Sequence, residues 1–513
     1  METWLLILLT SAIVALLKAL FNLFSPSEKP PKALPPGPST FPLIGNIIWL
    51  TKSFFQIEPI LRSLHLKLGP MVTLHIGSRP SIFIFDRSLA HQALVQNGSI
   101  FSDRPKTLPT NQIMNSNQRN ISSGAYGPTW RIIRRNLTSE ILHPSRIKSF
   151  SHARKWVWEI LFHSLTTKAK TGESVEVLSH FRHGMFCLLV LMCFGDKLSQ
   201  EQIAAIEVVA RKILLSLDRF NILNFCPSVT KVLLRHKWRE LSQLRKEQEE
   251  VLIPLIRARE KAKQELKNNE SDDYVLAYVD TLLDLELPLE KRKLNDGEMV
   301  TLTSEFLNAG TDTTSTALQW IMANLVKYPH IQNKLWLEIK SVAGDNEVIK
   351  EDDLQKMAYL KAVILEGLRR HPPGHFVLPH RATEDTVLGG FKVPKDGTIN
   401  FMVADMGWDP DVWEDPMAFK PERFLKTGDS DEQVFDITGS REIKMMPFGV
   451  GRRICPALGL ALLHLEYFVA NFIWKFEWKA VDGDSISLEE KQEFTVVMKT
   501  PLKAQISVRK KTN

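Results

Sequence analysis

A chain of 513 residues that is 44% hydrophobic and 24% charged can bury a large core, which excludes a disordered or fibrous polymer. Its net charge of +7 is spread over 65 basic and 58 acidic residues that interleave, so no nucleic-acid-binding stripe is indicated and a basic surface facing an acidic protein fits better. Four cysteines, Cys187, Cys193, Cys226 and Cys455, are too few and too irregularly spaced for a disulfide scaffold, and point to a reducing compartment.

Residues 4–24 are an almost unbroken apolar run, about 31 Å long as a helix and so able to cross a bilayer, with Lys18 able to snorkel. No basic segment precedes the run and no small-residue cleavage site follows it, so an uncleaved anchor is expected rather than a signal peptide. Lys18, Lys29 and Lys32 against Glu2 place the rest of the chain in the cytosol, where the Asn-x-Ser/Thr triplets at Asn97, Asn120, Asn136 and Asn269 never meet the glycosylation machinery. Prolines 30, 31, 35, 36 and 38 then forbid helix and favour a stiff extended link. No later linker or internal repeat marks a boundary. The expected organisation is a membrane anchor at 1–25, a proline-rich hinge at 26–40 and one catalytic domain at 41–513.

Residues 71–76 and 81–85 cluster β-formers around Gly77-Ser78-Arg79-Pro80 and predict a hairpin. Residues 127–370 are mostly helical in pattern, including an amphipathic stretch at 231–262, and strand-like segments return at 377–388 and 494–508. The predicted class is mainly α with small peripheral β-sheets. Within it, Trp130 and Arg134 share one helix face at i,i+4. One helix is predicted over 296–328, started by Asn295 with Glu298 three residues on and stopped by Pro329; at about 50 Å it would traverse the core. Its middle, Ala309-Gly310-Thr311-Asp312-Thr313-Thr314, uses residues that favour helix poorly, and such a choice mid-helix suggests function. A hydroxyl at Thr313 can disturb the backbone ladder there.

Glu366 and Arg369 stand three apart on one helix face, a spacing that by itself describes a surface ion pair worth little. Further on, Pro421-Glu422-Arg423-Phe424 supplies a second arginine. Near the end, Phe448-Gly449-Val450-Gly451-Arg452-Arg453-Ile454-Cys455-Pro456-Ala457 precedes an apolar helical run. Two glycines allow a tight loop, Pro456 suits a first helical position, and helix-entry N–H groups with nearby arginines are expected to lower the Cys455 pKa.

Taken together these segments resemble the cytochrome P450 family. The haem loop of that family is matched at Phe448, Gly451, Arg453 and Cys455, with Ala457 where the family has glycine. The resemblance implies the P450 fold as a single large domain behind an N-terminal transmembrane helix, with haem b as cofactor. It implies Cys455 as the axial ligand of the iron, Phe448 packed beside it, and Arg453, Trp130 and Arg134 on the haem propionates, with His380 as a weaker candidate for that task or a structural histidine. It implies a buried network of Glu366, Arg369 and Arg423. Ala309 and Gly310 belong to the oxygen-activation sequence, Gly310 leaving room for dioxygen, while Asp312 and Thr313 relay protons.

The implied activity is membrane-bound monooxygenation: one atom of dioxygen enters a hydrophobic small molecule, and electrons come from NADPH through NADPH-cytochrome P450 reductase. Arg131, Arg135, Lys444 and Arg452 are the expected docking face for that reductase. The proline hinge and the Cys loop resemble plant endoplasmic-reticulum enzymes, and His464-Leu465-Glu466-Tyr467-Phe468 suggests plant P450 family 89, hence a plant secondary metabolite as substrate. The substrate pocket is expected to draw on 107–122, 214–225, the central helix, 374–378 (with Val377) and 494–498. Glu305 shares the stripe of Ala309 and Thr313 and either meets a polar group of the substrate or faces solvent or a neighbouring helix. Two rival functions use the same fold or loop: a haem-thiolate isomerase or dehydratase that uses no oxygen, and a non-enzymatic haem carrier or sensor. Neither needs the Asp312-Thr313 pair.

Overall fold

The computed structural model describes residues 33–38, 49, 54–76, 79–216, 218–269, 275–344, 346–425 and 435–509. The expected anchor at 1–25, and the hinge except for 33–38, lie outside the described residues. In chain order the elements used below are α1 (Phe54–Leu68), β1 (Met71–Ile76), β2 (Arg79–Ile84), α2 (Pro128–Asn136), α3 (Val177–Phe194), α4 (Gln200–Ser216), α5 (Arg235–Asn269), α6 (Asp296–Lys327) and α7 (Ala358–Arg370). They continue with β3 (His380–Arg381), β4 (Thr398–Phe401), α8 (Leu458–Lys475), β5 (Phe476–Ala480), β6 (Glu490–Gln492), β7 (Val496–Met498) and β8 (Lys503–Val508).

The central helix α6 begins where its sequence dictates. Asn295 Oδ1 accepts the Glu298 N–H at 2.9 Å while Glu298 returns a carboxylate oxygen to the Asn295 N–H at 2.9 Å, a reciprocal cap worth about 1 kcal/mol. Arg292 then grips both oxygens of Glu298 at 2.8 Å, and Pro329 starts the next helix just beyond Tyr328. Every residue of α6 from 314 to 326 is buried. The helix packs most closely on α3, and also against α5, α7 and α8.

Among the described residues α3 is the one helix long and apolar enough to cross a membrane, yet 78% of that span is buried within the body. It is therefore read as the central wall of the main core, which α6, α7, α8 and β5 complete. The expected helix over 231–262 is instead two: a short helix Pro227–Leu233 ends at Leu234, and α5 runs on to Asn269.

The predicted hairpin forms as β1 and β2, paired from Met71↔Ile84 to Ile76↔Arg79. β4 adds to β2 in parallel and β3 adds to β4 antiparallel, giving the order β1-β2-β4-β3. β5 and β8 pair with Val175–Glu176 in a second sheet, and β6 and β7 form a hairpin. Residues 33–38 lie along the first sheet, Pro36 O accepting the Thr73 N–H at 2.9 Å and Ala33 O the Lys392 N–H at 3.1 Å. A Cβ on Gly37 would meet Thr73 O at 2.1 Å, so glycine is what lets this segment dock. A separate apolar core lies under this sheet and includes Met446 and Val450, whereas Met445 belongs to the helical core. The loop bearing Cys455 thus starts at the joint of the two cores.

Candidate active site

The Cys455 loop is held open by backbone geometry. Gly449 (φ +67°) and Gly451 (φ +73°) are left-handed, and a Cβ on Gly451 would lie 2.1 Å from Leu94 O. The Cys455 N–H closes the loop on Phe448 O at 2.8 Å, which fixes Phe448 beside the sulfur's residue. Val377 packs on the same loop: a Cβ on Gly449 would be 3.6 Å from Val377 Cγ1. Pro456 is not the first helical residue as expected; Pro456 and Ala457 form a turn, and α8 starts at Leu458 with Ala457 as its cap. Ala457 sits at φ −97°, ψ 19°, a conformation open to any residue, so alanine in place of glycine introduces no backbone strain there.

The thiol pKa also departs from expectation. Burial pushes Cys455 up, against the Ala457 N–H and the charge of Arg134, which draw it down. Helix entry and arginine do act in the expected direction; desolvation outweighs them. A cation bound at the sulfur reverses this balance, because a coordinated thiol is deprotonated outright.

Beside the loop, three guanidinia gather. Arg453 lies 4.0 Å over the Trp130 ring and donates to Ser102 O at 2.8 Å and Gly124 O at 2.7 Å. Arg134 donates to Ile454 O at 2.5 Å. Arg104, which the sequence reading missed, is buried and donates to Ser122 O and Leu378 O, each at 2.7 Å. Burial and mutual repulsion push Arg104 down to about 10 and Arg453 to about 9. Asp103, whose charge reaches both, is already engaged by Arg381 and by the Tyr126 N–H. The site therefore carries positive charge in excess of its own acids, and fits a ligand with carboxylates such as the haem propionates.

His380 falls in with the structural one of its two readings, while the Trp130 indole N–H is taken up by the backbone. His380 is buried, bonded through Nδ1 to Phe101 O at 2.7 Å, and driven down to about 3 by burial and then by Arg104, so it stands in the cluster as a neutral ring. Trp130 Nε1 donates to Ile121 O at 2.9 Å, so its indole N–H serves the backbone rather than an outside carboxylate.

On α6, Glu305, Ala309 and Thr313 keep accessible surface in the middle of a helix otherwise largely buried, as one stripe. Thr313 Oγ1 donates to Ala309 O at 2.7 Å, as Thr311 does to Leu307 O and Ser315 to Thr311 O, and the helix runs through all three without a break. Gly310 serves another purpose than expected: a Cβ on it would lie 2.7 Å from Leu189 Cδ1, so the glycine admits the close approach of α3. Asp312 points to a third side, where Arg182 Nε and Arg211 Nη1 each reach its Oδ1 at 3.1 Å, and Arg211 Nη2 also holds Glu493 at 2.7 Å. Burial raises the Asp312 carboxyl pKa in spite of these cations.

The Glu305 carboxylate is engaged neither by solvent nor by a neighbouring helix. Its two oxygens accept the N–H groups of Ile121 at 2.8 Å and Ser122 at 2.7 Å, so it tethers the segment whose carbonyls bind Trp130, Arg453 and Arg104. With both oxygens bonded to backbone, a substrate contact through this carboxylate is not what the geometry offers.

Glu366, Arg369 and Arg423 come together deep in the body. Arg369 Nε and Nη2 reach the two Glu366 oxygens at 2.7 and 2.8 Å, and Arg423 Nε reaches Oε1 at 3.2 Å. Arg369 also donates to Gly407 O and Pro416 O, and its guanidinium lies 5.4 Å over Trp413, whose indole N–H reaches Lys444 O at 3.2 Å. The network thus ties α7 to the strand of chain that enters the Cys loop.

Residues 35–508 match the family profile described as Cytochrome P450. The chain is a cytochrome P450. It is 56% identical over 491 residues to Cytochrome P450 89A9 of Arabidopsis thaliana, covering 93% of this chain and 94% of that protein, which supports placement in plant P450 family 89. It is 32% identical to costunolide synthase of Cichorium intybus (93% and 92% covered) and 30% identical to isoflavone 3'-hydroxylase of Medicago truncatula (92% and 92%). A zebrafish cytochrome P450 structure with progesterone shares the fold at a TM-score of 0.73 and 20% identity, covering 88% of this chain and 99% of that one. The P450 is accordingly a monooxygenase of mainly helical fold, and its family implies haem.

Proposed function

We propose that this P450 is a membrane-bound haem-thiolate monooxygenase that inserts one atom of dioxygen into a hydrophobic small molecule of plant secondary metabolism, with electrons from NADPH-cytochrome P450 reductase. The observation that carries the haem reading is the excess of cations beside the Cys455 loop, at buried Arg104 and half-buried Arg134 and Arg453. When bound, the haem supplies the redox centre at which dioxygen is reduced. Cys455 would hold the iron, the three arginines would hold the propionates, and Val377 would shape the pocket beside the loop. Thr313 Oγ1, already polarised by Ala309 O, would hold a proton on the accessible stripe of α6. Asp312, whose carboxyl is drawn toward protonation by burial, would hold a proton and be oriented by its arginine partners. The Glu366 network would keep the proximal side in place without touching the reaction.

Two surfaces support the cellular reading. Arg131, Arg135, Lys444 and Arg452 are exposed, and Arg131 and Arg452 converge on the Tyr126 ring at 4.9 and 5.6 Å, a basic face suited to an acidic reductase. Leu215, Ile222, Phe225, Val229, Val232 and Leu233 are exposed between α4 and α5, an apolar edge that suits contact with the endoplasmic-reticulum bilayer alongside the anchor at 1–25. The test is the haem-loaded chain in microsomes: a thiolate-type Soret band for the reduced, CO-bound protein, and NADPH oxidation that needs both reductase and substrate, are expected. A thiolate band with no reductase-dependent turnover for any substrate that shifts the spin state would overturn the oxygenase reading for this site.

A further inference from the structure

The start of α5 gathers cations without matching acids. Residues 231–246 hold Lys231, Arg235, Lys237, Arg239, Arg245 and Lys246 against a single acid, Glu240. That acid is engaged by Arg219, and the next acids along the helix are taken too, Glu247 by Lys212 at 2.6 Å and Glu249 by the buried Arg245 at 2.8 Å. Lys246 has only Glu250, at 3.6 Å, a surface pairing worth little. Among the described residues no carboxylate pairs with Arg235, Lys237 or Arg239. The first turn of α5 contains no acid, and cations at the start of a helix oppose its dipole. The helix gains nothing from them, which points to a counter-charge outside the protein.

Their surroundings say what kind. Arg235, Arg239, Ser242 and Lys246 follow one another at helical spacing along one face, and with Trp238 and Gln243 they line an open groove of about 450 Å³. Trp238 packs on the small apolar cluster that includes Met114, Ile213 and Leu241, its N–H turned to Thr230 Oγ1 at 3.4 Å and Lys231 Nζ 5.7 Å over its ring. Directly before this helix, Val232 and Leu233 are 75% and 72% exposed. Bare apolar side chains and free cations thus adjoin, the composition of a segment that lies in a membrane interface with its apolar groups toward the acyl chains and its cations at the phosphates. An acidic protein or a free phosphate would answer the cations and leave Val232 and Leu233 bare; an anionic bilayer answers both.

Resting on the bilayer contact proposed above for the apolar edge, we propose that the groove at the start of α5 holds the phosphates of anionic phospholipids, with Arg235, Lys237, Arg239 and Lys246 as the binding cations. Ser242 and Gln243 add uncharged donors. The enzyme then settles on acidic patches of its membrane rather than on any bilayer, and the segment between α4 and α5 is pinned there by charge as well as by apolar contact.

The experiment places the haem-loaded full-length chain in nanodiscs of phosphatidylcholine alone or of phosphatidylcholine mixed with phosphatidic acid. Cys226, exposed within the apolar edge, is alkylated with a charged, water-soluble maleimide, the lysines are acetylated, and each site is read by mass spectrometry. A basic residue at an anionic surface contributes about fivefold in binding. Lys231, Lys237 and Lys246 are expected to react about fivefold or more slowly on the anionic discs than on the neutral ones, with the exposed Lys148 reacting equally on both. At Lys237 the difference should disappear in a chain carrying Arg235→Gln, Arg239→Gln and Lys246→Gln, and a difference that persists overturns the role of those residues. If Cys226 is shielded on both kinds of disc while the lysines react equally, the bilayer contact stands and the headgroup proposal falls. A Cys226 that reacts as freely on discs as in detergent overturns the contact itself and the proposal with it. Equal shielding of the lysines on neutral discs by glycerol 3-phosphate or by the reductase gives the groove to a soluble phosphate or to a protein, and overturns the lipid assignment. The thiolate-type Soret band reports that each variant has folded.

Discussion

Replacing Glu366 by glutamine removes the one anion that, among the described residues, holds the buried guanidinium of Arg369. In the native protein the two Glu366 oxygens accept from Arg369 Nε and Nη2, from Arg423 Nε and from the Lys420 N–H, with both Glu366 and Arg369 fully buried. Glutamine keeps one acceptor oxygen and turns an N–H2 toward donors, so a cation is left desolvated and partly unpaired. Breaking a buried pair from one side costs about 3–5 kcal/mol. At roughly 2.1 cal/mol/K per residue over residues 35–508, the unfolding entropy is about 1 kcal/mol/K, which makes the expected fall in melting temperature about 3–5 °C. Deleting the arginine as well does not restore stability, because Arg369 also satisfies the carbonyls of Gly407 and Pro416. The assay is loss of the thiolate-type CO-bound band and of circular dichroism at one fixed scan rate, since a chain of this size unfolds irreversibly. A Glu366→Gln protein that melts within about 1 °C of the native one would refute the reasoning.

Gly451→Ala is expected to abolish haem incorporation, read by the Soret band of the purified protein, because the added Cβ meets Leu94 O at 2.1 Å and the backbone is left-handed. Gly310→Ala should destabilise the fold by about 1–3 kcal/mol through overpacking on Leu189, and Gly310→Ala with Leu189→Ala should recover part of the loss in a denaturant titration; no recovery would disprove the packing role. Glu305→Gln should raise hydrogen exchange at Ile121 and Ser122 while leaving substrate-induced spin shifts in place, and unchanged exchange would contradict the tether. His464 is buried and held near 3 by burial and then by Arg154, while the unfolded imidazole takes a proton below about 6.5. Its contribution is full above about pH 6.5 and falls by about 1.4 kcal/mol per pH unit toward pH 3, so His464→Phe should flatten the acid limb by that slope, measured by denaturation at stepped pH.

What could be read from the sequence was what is local. The cap at Asn295, the stop at Pro329, the hairpin at 71–84 and the left-handed glycines of the Cys loop each depend on residues a few positions apart, and each appears where the local pattern puts it. What could not be read is carried by contacts across the chain. Arg104 reaches Leu378 over 274 positions, and Arg182 and Arg211 reach Asp312 over 130 and 101. No spacing rule marks an arginine of that kind, since its partners are backbone carbonyls or a single acid on another helix. The role of Glu305 was missed for the same reason. Helical phase correctly put it on the stripe with Thr313, but phase does not tell which atoms lie opposite, and the two N–H groups that meet it belong to an irregular segment. The Cys455 pKa was misjudged because the local terms, an N–H and an arginine, are visible in the sequence while desolvation is a property of the finished fold.

The central helix shows why residues one position apart carry unrelated tasks. Each step along α6 turns about 100°, so four consecutive residues face four directions. Residues 305, 309 and 313 keep to the accessible stripe, whereas 310 meets Leu189 on α3 and 312 meets arginines from α3 and α4. The face of 312 continues onto the C-terminal hairpin, through Thr316 to Thr495 at 2.8 Å and Trp320 to Val496 O at 2.7 Å. Tolerance to substitution should therefore vary from one residue to the next along this helix rather than by region. The poor helix formers at 310–314 are placed by these contacts: glycine where two helices touch, a hydroxyl that bonds back to the carbonyl one turn earlier, an acid where two arginines converge. Since such residues lower the helix's own propensity by up to about 1 kcal/mol each, the packing of α3, α7 and α8 around α6 is what keeps this segment helical.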